Sequence, residues 1–193
     1  MREKMGEFRL RRVFRPIVYK LAEKLAKIGA SPNIISLCSL VFAVFSAILV
    51  FISQVVVAGI TIFITGLLDG VDGAIARLSN LESRKGAFID AIIDRYGDLM
   101  IIGSFLFYKY KVMFLIPYEF WVLVALIGVF MVSYSRARGE AMGISKLDVG
   151  LMARSERLFF LTVFCILAVF NPYLPSYGII VLAILSNLTA LHR

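Results

Sequence analysis

Four aspartates, Asp69, Asp72, Asp90 and Asp94, lie close together in a part of the chain that is otherwise apolar. A charged side chain in the interior of a membrane costs about 2.5–3.5 kcal/mol on insertion scales, so four carboxylates require a compensating partner. Oxygen ligands of this kind suit a hard divalent cation. Such a cation can keep coordination positions open for phosphate oxygens, which makes the chain a candidate for a metal-dependent enzyme.

The spacing of the aspartates places them on matching faces of two successive helices. An α-helix turns by about 100° per residue, so residues three and four positions apart share a face. One stripe contains Asp69, Asp72, Gly73 and Ala76, and the next contains Gly86, Asp90, Asp94 and Gly97. We expect the two helices to lie side by side, joined by residues 79–85, so that the carboxylates converge with only small residues between them. Carboxylates this close repel one another, so the pattern predicts one or two bound Mg²⁺ or Mn²⁺ ions.

The composition indicates a membrane protein. Of the 193 residues, 60% are hydrophobic, and the mean hydropathy is +0.87. Six apolar runs are long enough to cross a hydrocarbon core about 30 Å thick. They cover residues 33–55, 56–79, 86–108, 113–138, 155–171 and 174–191. Because a span must satisfy its own backbone hydrogen bonds and the alternating pattern of barrel strands is absent, we predict an all-α integral membrane protein with six transmembrane helices.

A basic segment precedes the six spans. Between Leu10 and Ala26, apolar residues recur at helical spacing among lysines and arginines, which is typical of an amphipathic helix at a membrane interface. We expect a single domain over residues 1–193, with this interfacial helix in 1–30 and the bundle in 31–193. Of the 21 lysines and arginines, 19 fall on one side of the spans, and Lys109 and Lys111 fall on the other. The positive-inside rule makes that side cytoplasmic, which predicts a multi-pass cell-membrane protein with a cytoplasmic active site and no nucleic-acid partner.

Arginines gather on the same side as the aspartates. They end the fourth span, begin the fifth and end the chain, at Arg136, Arg138, Arg154, Arg157 and Arg193. A guanidinium fork suits phosphate, so we interpret the set as a site for a phosphorylated alcohol. A divalent-cation transporter is an alternative from another class. Such transporters usually bind their ions near the midplane between broken helices, however, whereas these aspartates lie near one end of their helices.

The chain from Asp69 to Asp94 reads Asp-x2-Asp-Gly-x2-Ala-Arg-x8-Gly-x3-Asp-x3-Asp, which resembles the signature of the CDP-alcohol phosphotransferase family at every position. The resemblance implies a transferase of phospholipid biosynthesis that moves a phosphatidyl-type or archaetidyl group from a CDP-linked lipid to an alcohol and releases CMP. It implies that Asp69, Asp72 and Asp90 hold the divalent metals, usually two, and that Asp94 lies at the metals and acts as the general base. It also implies a homodimer and a CDP pocket. The pocket residues would be Asp69, Gly73, Ala76, Arg77 and Gly86, with Asn33 close by.

The arginine-rich region resembles the branch of this family that makes phosphatidylinositol phosphate or archaetidylinositol phosphate. The matching runs are Ser133-Tyr134-Ser135-Arg136-Ala137-Arg138-Gly139-Glu140 and Arg154-Ser155-Glu156-Arg157. The match implies that Arg136, Arg157 and Arg193 grip the phosphate of inositol 1-phosphate, with Arg136 in place of the branch's lysine. Glycerol 3-phosphate is the alternative acceptor, because it also carries a phosphate. A CDP-linked donor without a lipid tail is a further alternative.

Overall fold

A computed structural model of the protein describes residues 9–144 and 152–193. These residues form seven α-helices and no β-strand, which confirms the predicted all-α class. The helices are α1 Arg9–Lys27, α2 Pro32–Phe51, α3 Val55–Leu78, α4 Arg84–Ser104, α5 Tyr118–Ala141, α6 Arg154–Leu167 and α7 Leu174–His192. A short 3₁₀ helix, Phe105–Phe107, follows α4. Residues 1–8 of the predicted interfacial segment and 145–151 of the predicted cytoplasmic loop lie outside the described residues.

Four of the helices in the described ranges, α2, α3, α5 and α7, are long and apolar enough to cross a membrane. The other two predicted spans differ from these four for separate reasons. Helix α4 carries six charged residues, which include Asp90, Asp94 and Asp98. Helix α6 has only 14 residues, and at about 1.5 Å per residue it is shorter than a bilayer core. The count of six spans therefore stays a prediction.

Helices α2 and α4 both begin at the polar end of the bundle, at residues that favour a helix start. Ser31 takes the N-cap position of α2, with Pro32 in the first turn, although the Ser31 side chain makes no capping hydrogen bond. Ser83 caps α4, because its Oγ accepts a hydrogen bond from the Gly86 amide at 3.0 Å. The first turn of α4 is therefore capped, and its aspartates lie in the turns that follow.

The arrangement of α3 and α4 differs from the prediction. We expected these two helices to lie side by side, but few of their Cα atoms approach each other. Both helices pack along α2, and α6 packs along the other side of α3. The sequence prediction was wrong because a short connection does not force direct packing when a third helix offers a larger apolar face. The space between the polar ends of α3 and α4 is thus open to side chains from α6.

Close helix contacts hold this arrangement in place. A Cβ atom added at Gly59 of α3 would lie 2.9 Å from the Cβ atom of Cys165 on α6, so the glycine permits the contact between these helices. Ser46 of α2 donates a hydrogen bond to Thr61 of α3 at 2.7 Å inside the bundle. Helix α1 packs on α3, and its Ala22 is fully buried in a small apolar cluster that also contains Ile35, Val71, Ala74 and Ile75.

Candidate active site

Three of the four predicted aspartates come together at the polar ends of α3 and α4. Oxygens of Asp69, Asp90 and Asp94 all lie within 4.8 Å of one another. Asp69 comes from α3, while Asp90 and Asp94 lie one turn apart on α4. The helical stripes therefore converge as the spacing indicated, even though their helices do not pack directly.

Asp72 lies next to this group and is held by α2. It is 3% exposed, and its Oδ2 accepts a hydrogen bond from the Ser36 hydroxyl at 2.6 Å. It interacts electrostatically with Asp69 and Asp90. A buried carboxylate needs such a partner, so Ser36 fixes the direction in which Asp72 points. Nothing in the sequence pattern had singled out Ser36, because the contact depends on how α2 packs against α3.

Arg154 of α6 enters the space between the carboxylates. Its Nη1 contacts Asp69 Oδ1 and lies 2.5 Å from Asp94 Oδ1, and its side chain is 10% exposed. The sequence had placed Arg154 in the predicted phosphate site, and that role stays a prediction. In the structure the guanidinium offsets part of the negative charge of the aspartate cluster.

A buried ion pair extends the site by one further turn of α4. Asp98 Oδ2 accepts a hydrogen bond from Arg157 Nη2 at 2.6 Å, and both residues are 2% exposed. Arg157 Nη1 also donates to the Met152 carbonyl at 3.0 Å. Sequence reasoning did not place Asp98 in the site. Its position four residues after Asp94, on the same face of the helix, is the signal that could have found it.

The residues predicted for the CDP pocket lie beside the carboxylates, at the adjoining ends of α2, α3 and α4. A Cβ atom at Gly86 would lie 3.7 Å from Asn33 Oδ1, so the starts of α2 and α4 are close together. A Cβ atom at Gly73 would lie 3.4 Å from Arg77 Nη1, which means that the arginine folds back over the glycine. Ala76, which lies between Gly73 and Arg77 in the sequence of α3, is half-buried.

Tyr19 of α1 adds a contact to this region that sequence reasoning missed. Hydrogen bonds from Arg77 and Arg15 lower the pKa of the Tyr19 hydroxyl, because both cations favour the phenolate. The Arg15 guanidinium also lies over the Tyr19 ring, 5.4 Å from its centroid. Helix α1 thereby contacts Arg77 as well as packing on α3.

The remaining predicted arginines lie on α5, on α6 and at the end of the chain. Arg193 Nη1 donates to the Val132 carbonyl of α5 at 2.9 Å. One turn later on α5, Arg136 pairs with Glu140 at 2.9 Å. The structure thus puts Arg136 and Arg193 at the same end of α5, with Arg138 exposed nearby on that helix. Arg157 of α6 faces the buried Asp98. The phosphate grip of Arg136, Arg157 and Arg193 stays a prediction.

The cluster has the charge and the donor atoms for a divalent cation. Asp90 Oδ1 is buried and has no hydrogen-bond partner among the described residues. When ionised, five carboxylates and three guanidiniums meet here, so these eight residues together carry a net charge of −2. Those residues are Asp69, Asp72, Asp90, Asp94 and Asp98, with Arg95, Arg154 and Arg157. Hard oxygen ligands with excess negative charge fit Mg²⁺ or Mn²⁺.

Comparison with known proteins decides the family. The family model for CDP-alcohol phosphatidyltransferases matches residues 30–190, which include the whole aspartate pattern. The chain belongs to this family. It is therefore a transferase of phospholipid synthesis, in a family that depends on divalent metals.

Related proteins match this CDP-alcohol phosphatidyltransferase along most of their length. An archaetidylinositol phosphate synthase from Pyrococcus horikoshii is 30% identical over 177 residues, which are 90% of this chain and 87% of that protein. The crystal structure of phosphatidylinositol phosphate synthase from Mycobacterium tuberculosis with CDP-DAG bound matches with a TM-score of 0.78, 27% identity and 92% coverage of both chains. The same mycobacterial enzyme in complex with manganese and citrate matches with a TM-score of 0.77 and 27% identity, over 91% of this chain and 86% of that one.

Proposed function

We propose that this phosphatidyltransferase uses inositol 1-phosphate as its acceptor and a CDP-linked lipid, with ester or ether tails, as its donor. The observation that carries the proposal is the carboxylate cluster of Asp69, Asp90 and Asp94, with arginines of α5 and α6, and Arg193 after α7, on the same side of the bundle. The names of the related synthases support inositol phosphate over other alcohols.

The proposed chemistry assigns one role to each carboxylate. Asp69, Asp72 and Asp90 would hold one or two Mg²⁺ or Mn²⁺ ions, which would neutralise charge on the donor's diphosphate. Asp94 accepts the proton of the acceptor hydroxyl. The hydroxyl oxygen then forms a bond to the β-phosphorus, the bond from that phosphorus to CMP breaks, and CMP leaves with the electron pair. Ser36 keeps Asp72 in place throughout.

The donor and the acceptor are proposed to reach the carboxylates from different sides. Gly73, Ala76, Arg77, Gly86 and Asn33 line the CDP side, where glycines leave room for the nucleotide. Arg136, Arg138 and Arg193, together with Arg154 and Arg157 of α6, supply positive charge on the acceptor side, where a phosphate monoester would bind.

An acceptor screen tests this proposal. Purified protein receives a radiolabelled CDP-lipid and Mn²⁺, with inositol 1-phosphate, glycerol 3-phosphate, free inositol or serine as the acceptor, and CMP release is measured. We expect inositol 1-phosphate to give the fastest release and free inositol to give almost none, because only the former can bind the arginines. Faster release with glycerol 3-phosphate would replace the proposed acceptor. Metal uptake into liposomes without CMP release would instead favour a transporter.

A pair of variants sharpens the same test. Arg193→Ala is expected to raise the acceptor KM far more than the donor KM. Lys109→Ala removes an exposed cation beyond the opposite end of α4 and should change neither. Equal effects of Arg193→Ala on both substrates would count against a phosphate-binding role for Arg193.

We further infer a single domain over residues 1–193, six spans preceded by an interfacial helix α1, a cytoplasmic active site in the cell membrane, and a homodimer. The one-sided distribution of basic residues supports the orientation, and the family resemblance supports the dimer. In a variant without native cysteines, Lys109→Cys should react with an impermeant maleimide in intact cells, whereas Asn80→Cys should react only after lysis. The reverse labelling would invert the topology, and a monomer by light scattering would exclude the dimer.

A further inference from the structure

We propose that Arg154 and a divalent metal compete for the carboxylate cluster, and that the metal displaces Arg154 from Asp69 and Asp94 toward Asp98. This inference rests on the proposed function, because it concerns how a metal gains access to the same carboxylates. It assigns Arg154 a role in metal binding, in addition to the predicted role in acceptor binding, and it assigns Asp98 a positioning role.

The first observation is that Arg154 contacts a proposed metal ligand, Asp69, and the proposed general base beside the metals, Asp94. Its Nη1 contacts Asp69 Oδ1 and lies 2.5 Å from Asp94 Oδ1. Asp69 and Asp94 are two of the three residues whose oxygens cluster within 4.8 Å. A guanidinium and a divalent cation that share these oxygens would repel each other strongly in a buried site. Binding of one therefore opposes binding of the other.

The second observation is an incomplete contact between Arg154 and Asp98. Arg154 Nε lies 3.5 Å from Asp98 Oδ1, and both atoms are buried without a hydrogen-bond partner among the described residues. A charged N–H···O hydrogen bond has a length of about 2.7–2.9 Å, so this bond would form as Arg154 moves away from Asp69 and Asp94 toward Asp98. Two unsatisfied buried groups are costly, and the shift would satisfy both. Asp98 is therefore a destination for a displaced Arg154.

The third observation is the space along α4 between the two positions. Gly97 precedes Asp98, and a Cβ atom there would lie 3.3 Å from Arg154 Nη2 and 3.5 Å from the Cβ atom of Ala43. Any side chain at position 97 would crowd the guanidinium against α2. Because Asp94 and Asp98 are one helical turn apart, Arg154 can exchange one carboxylate for the other without a change in the backbone.

Asp98 can receive Arg154 because Arg157 uses its other oxygen. Arg157 Nη2 donates to Asp98 Oδ2 at 2.6 Å, which leaves Asp98 Oδ1 for Arg154. After displacement, the buried Asp98 would bind both arginines of α6, one turn away from Asp94.

Manganese affinity measured without any substrate tests the proposal. Free Mn²⁺ is titrated by electron paramagnetic resonance against the purified wild-type chain, Arg154→Gln, and the control Lys109→Gln, which removes an exposed cation beyond the opposite end of α4. We expect Arg154→Gln to bind Mn²⁺ at least tenfold more tightly than the wild type, and Lys109→Gln to bind it within twofold. Equal or weaker binding by Arg154→Gln would overturn the proposal.

Asp98→Asn separates displacement from simple charge effects. It leaves every proposed metal ligand in place, but it removes the destination of Arg154, so Mn²⁺ binding should weaken at least threefold. In the double variant Asp98→Asn/Arg154→Gln, the effect of the asparagine should fall below twofold, because the residue to be displaced is absent. Additive effects in this cycle would contradict displacement. If Arg154→Gln does not fold, unchanged or tighter binding by Asp98→Asn alone overturns the proposal.

The same titration distinguishes this inference from the proposed function. A wild-type chain that binds no Mn²⁺ and releases no CMP would refute the metal-dependent transferase mechanism itself. Wild-type binding and CMP release, without a gain in Arg154→Gln, would refute only the displacement of Arg154.

Discussion

Replacing Asp98 with alanine should destabilise the protein more than any comparable change to a surface ion pair. The Asp98 and Arg157 side chains are each 3% exposed, and their charged groups are 2.6 Å apart. Removal of one partner from a buried pair leaves an uncompensated charge and costs about 3–5 kcal/mol. We expect the lower end of that range, because Arg157 keeps its hydrogen bond to the Met152 carbonyl at 3.0 Å. For a chain of this size each kcal/mol corresponds to about 2–4 °C in Tm, so the loss is about 6–12 °C.

The chain offers a matched control for this prediction. Lys111 and Glu119 also lie 2.6 Å apart, but their side chains are 35% and 49% exposed. Water screens such a pair, which is usually worth about 0.2–1 kcal/mol. Glu119→Ala should therefore lower Tm by no more than about 4 °C. Because the two pairs have the same length, any difference between them measures the effect of burial.

Thermal unfolding in detergent, followed by the fluorescence of the single tryptophan, gives both values. The double variant Asp98→Leu/Arg157→Met replaces the buried pair with apolar side chains, and it should recover most of the stability that Asp98→Ala loses. If the double variant is as unstable as Asp98→Ala, the loss does not come from an unpaired buried charge. A loss for Asp98→Ala no larger than that for Glu119→Ala would refute the reasoning directly.

Three further predictions follow from other contacts. Asp94→Asn should keep Mn²⁺ and CDP binding but lower the turnover number at least about 100-fold, because it removes the general base; near-normal CMP release would exclude that role. Ser36→Ala should lower the free energy of unfolding by about 1.5–3 kcal/mol, because it removes a hydrogen bond to the charged Asp72. An unchanged Tm would show that water replaces the hydroxyl. Gly59→Ala should lower the free energy of unfolding by about 1–3 kcal/mol, because the added methyl group overpacks the contact with α6. In the control Gly103→Ala the added methyl group meets no atom within 4 Å, so Tm should be unchanged or slightly higher.

Much of the local structure could be predicted from the sequence. The predicted runs and the observed helices α2 to α7 overlap throughout, because a helix depends on contacts between residues three and four positions apart. The same periodicity placed Asp69 on one face and Asp90 and Asp94 on another, and the structure brings their oxygens together. The four-residue spacing would also have placed Asp98 on the second face.

Packing between distant segments decided what the sequence did not show. The local pattern could not indicate that α2 packs against both α3 and α4, because the fit of three apolar surfaces settles that choice. The contacts of Arg154 with Asp69 and of Ser36 with Asp72 join residues far apart in the chain. Helix periodicity thus determined which carboxylates share a face. Only the tertiary structure decided which cation and which hydroxyl meet them, because buried charges take their partners from whichever helix packs nearest.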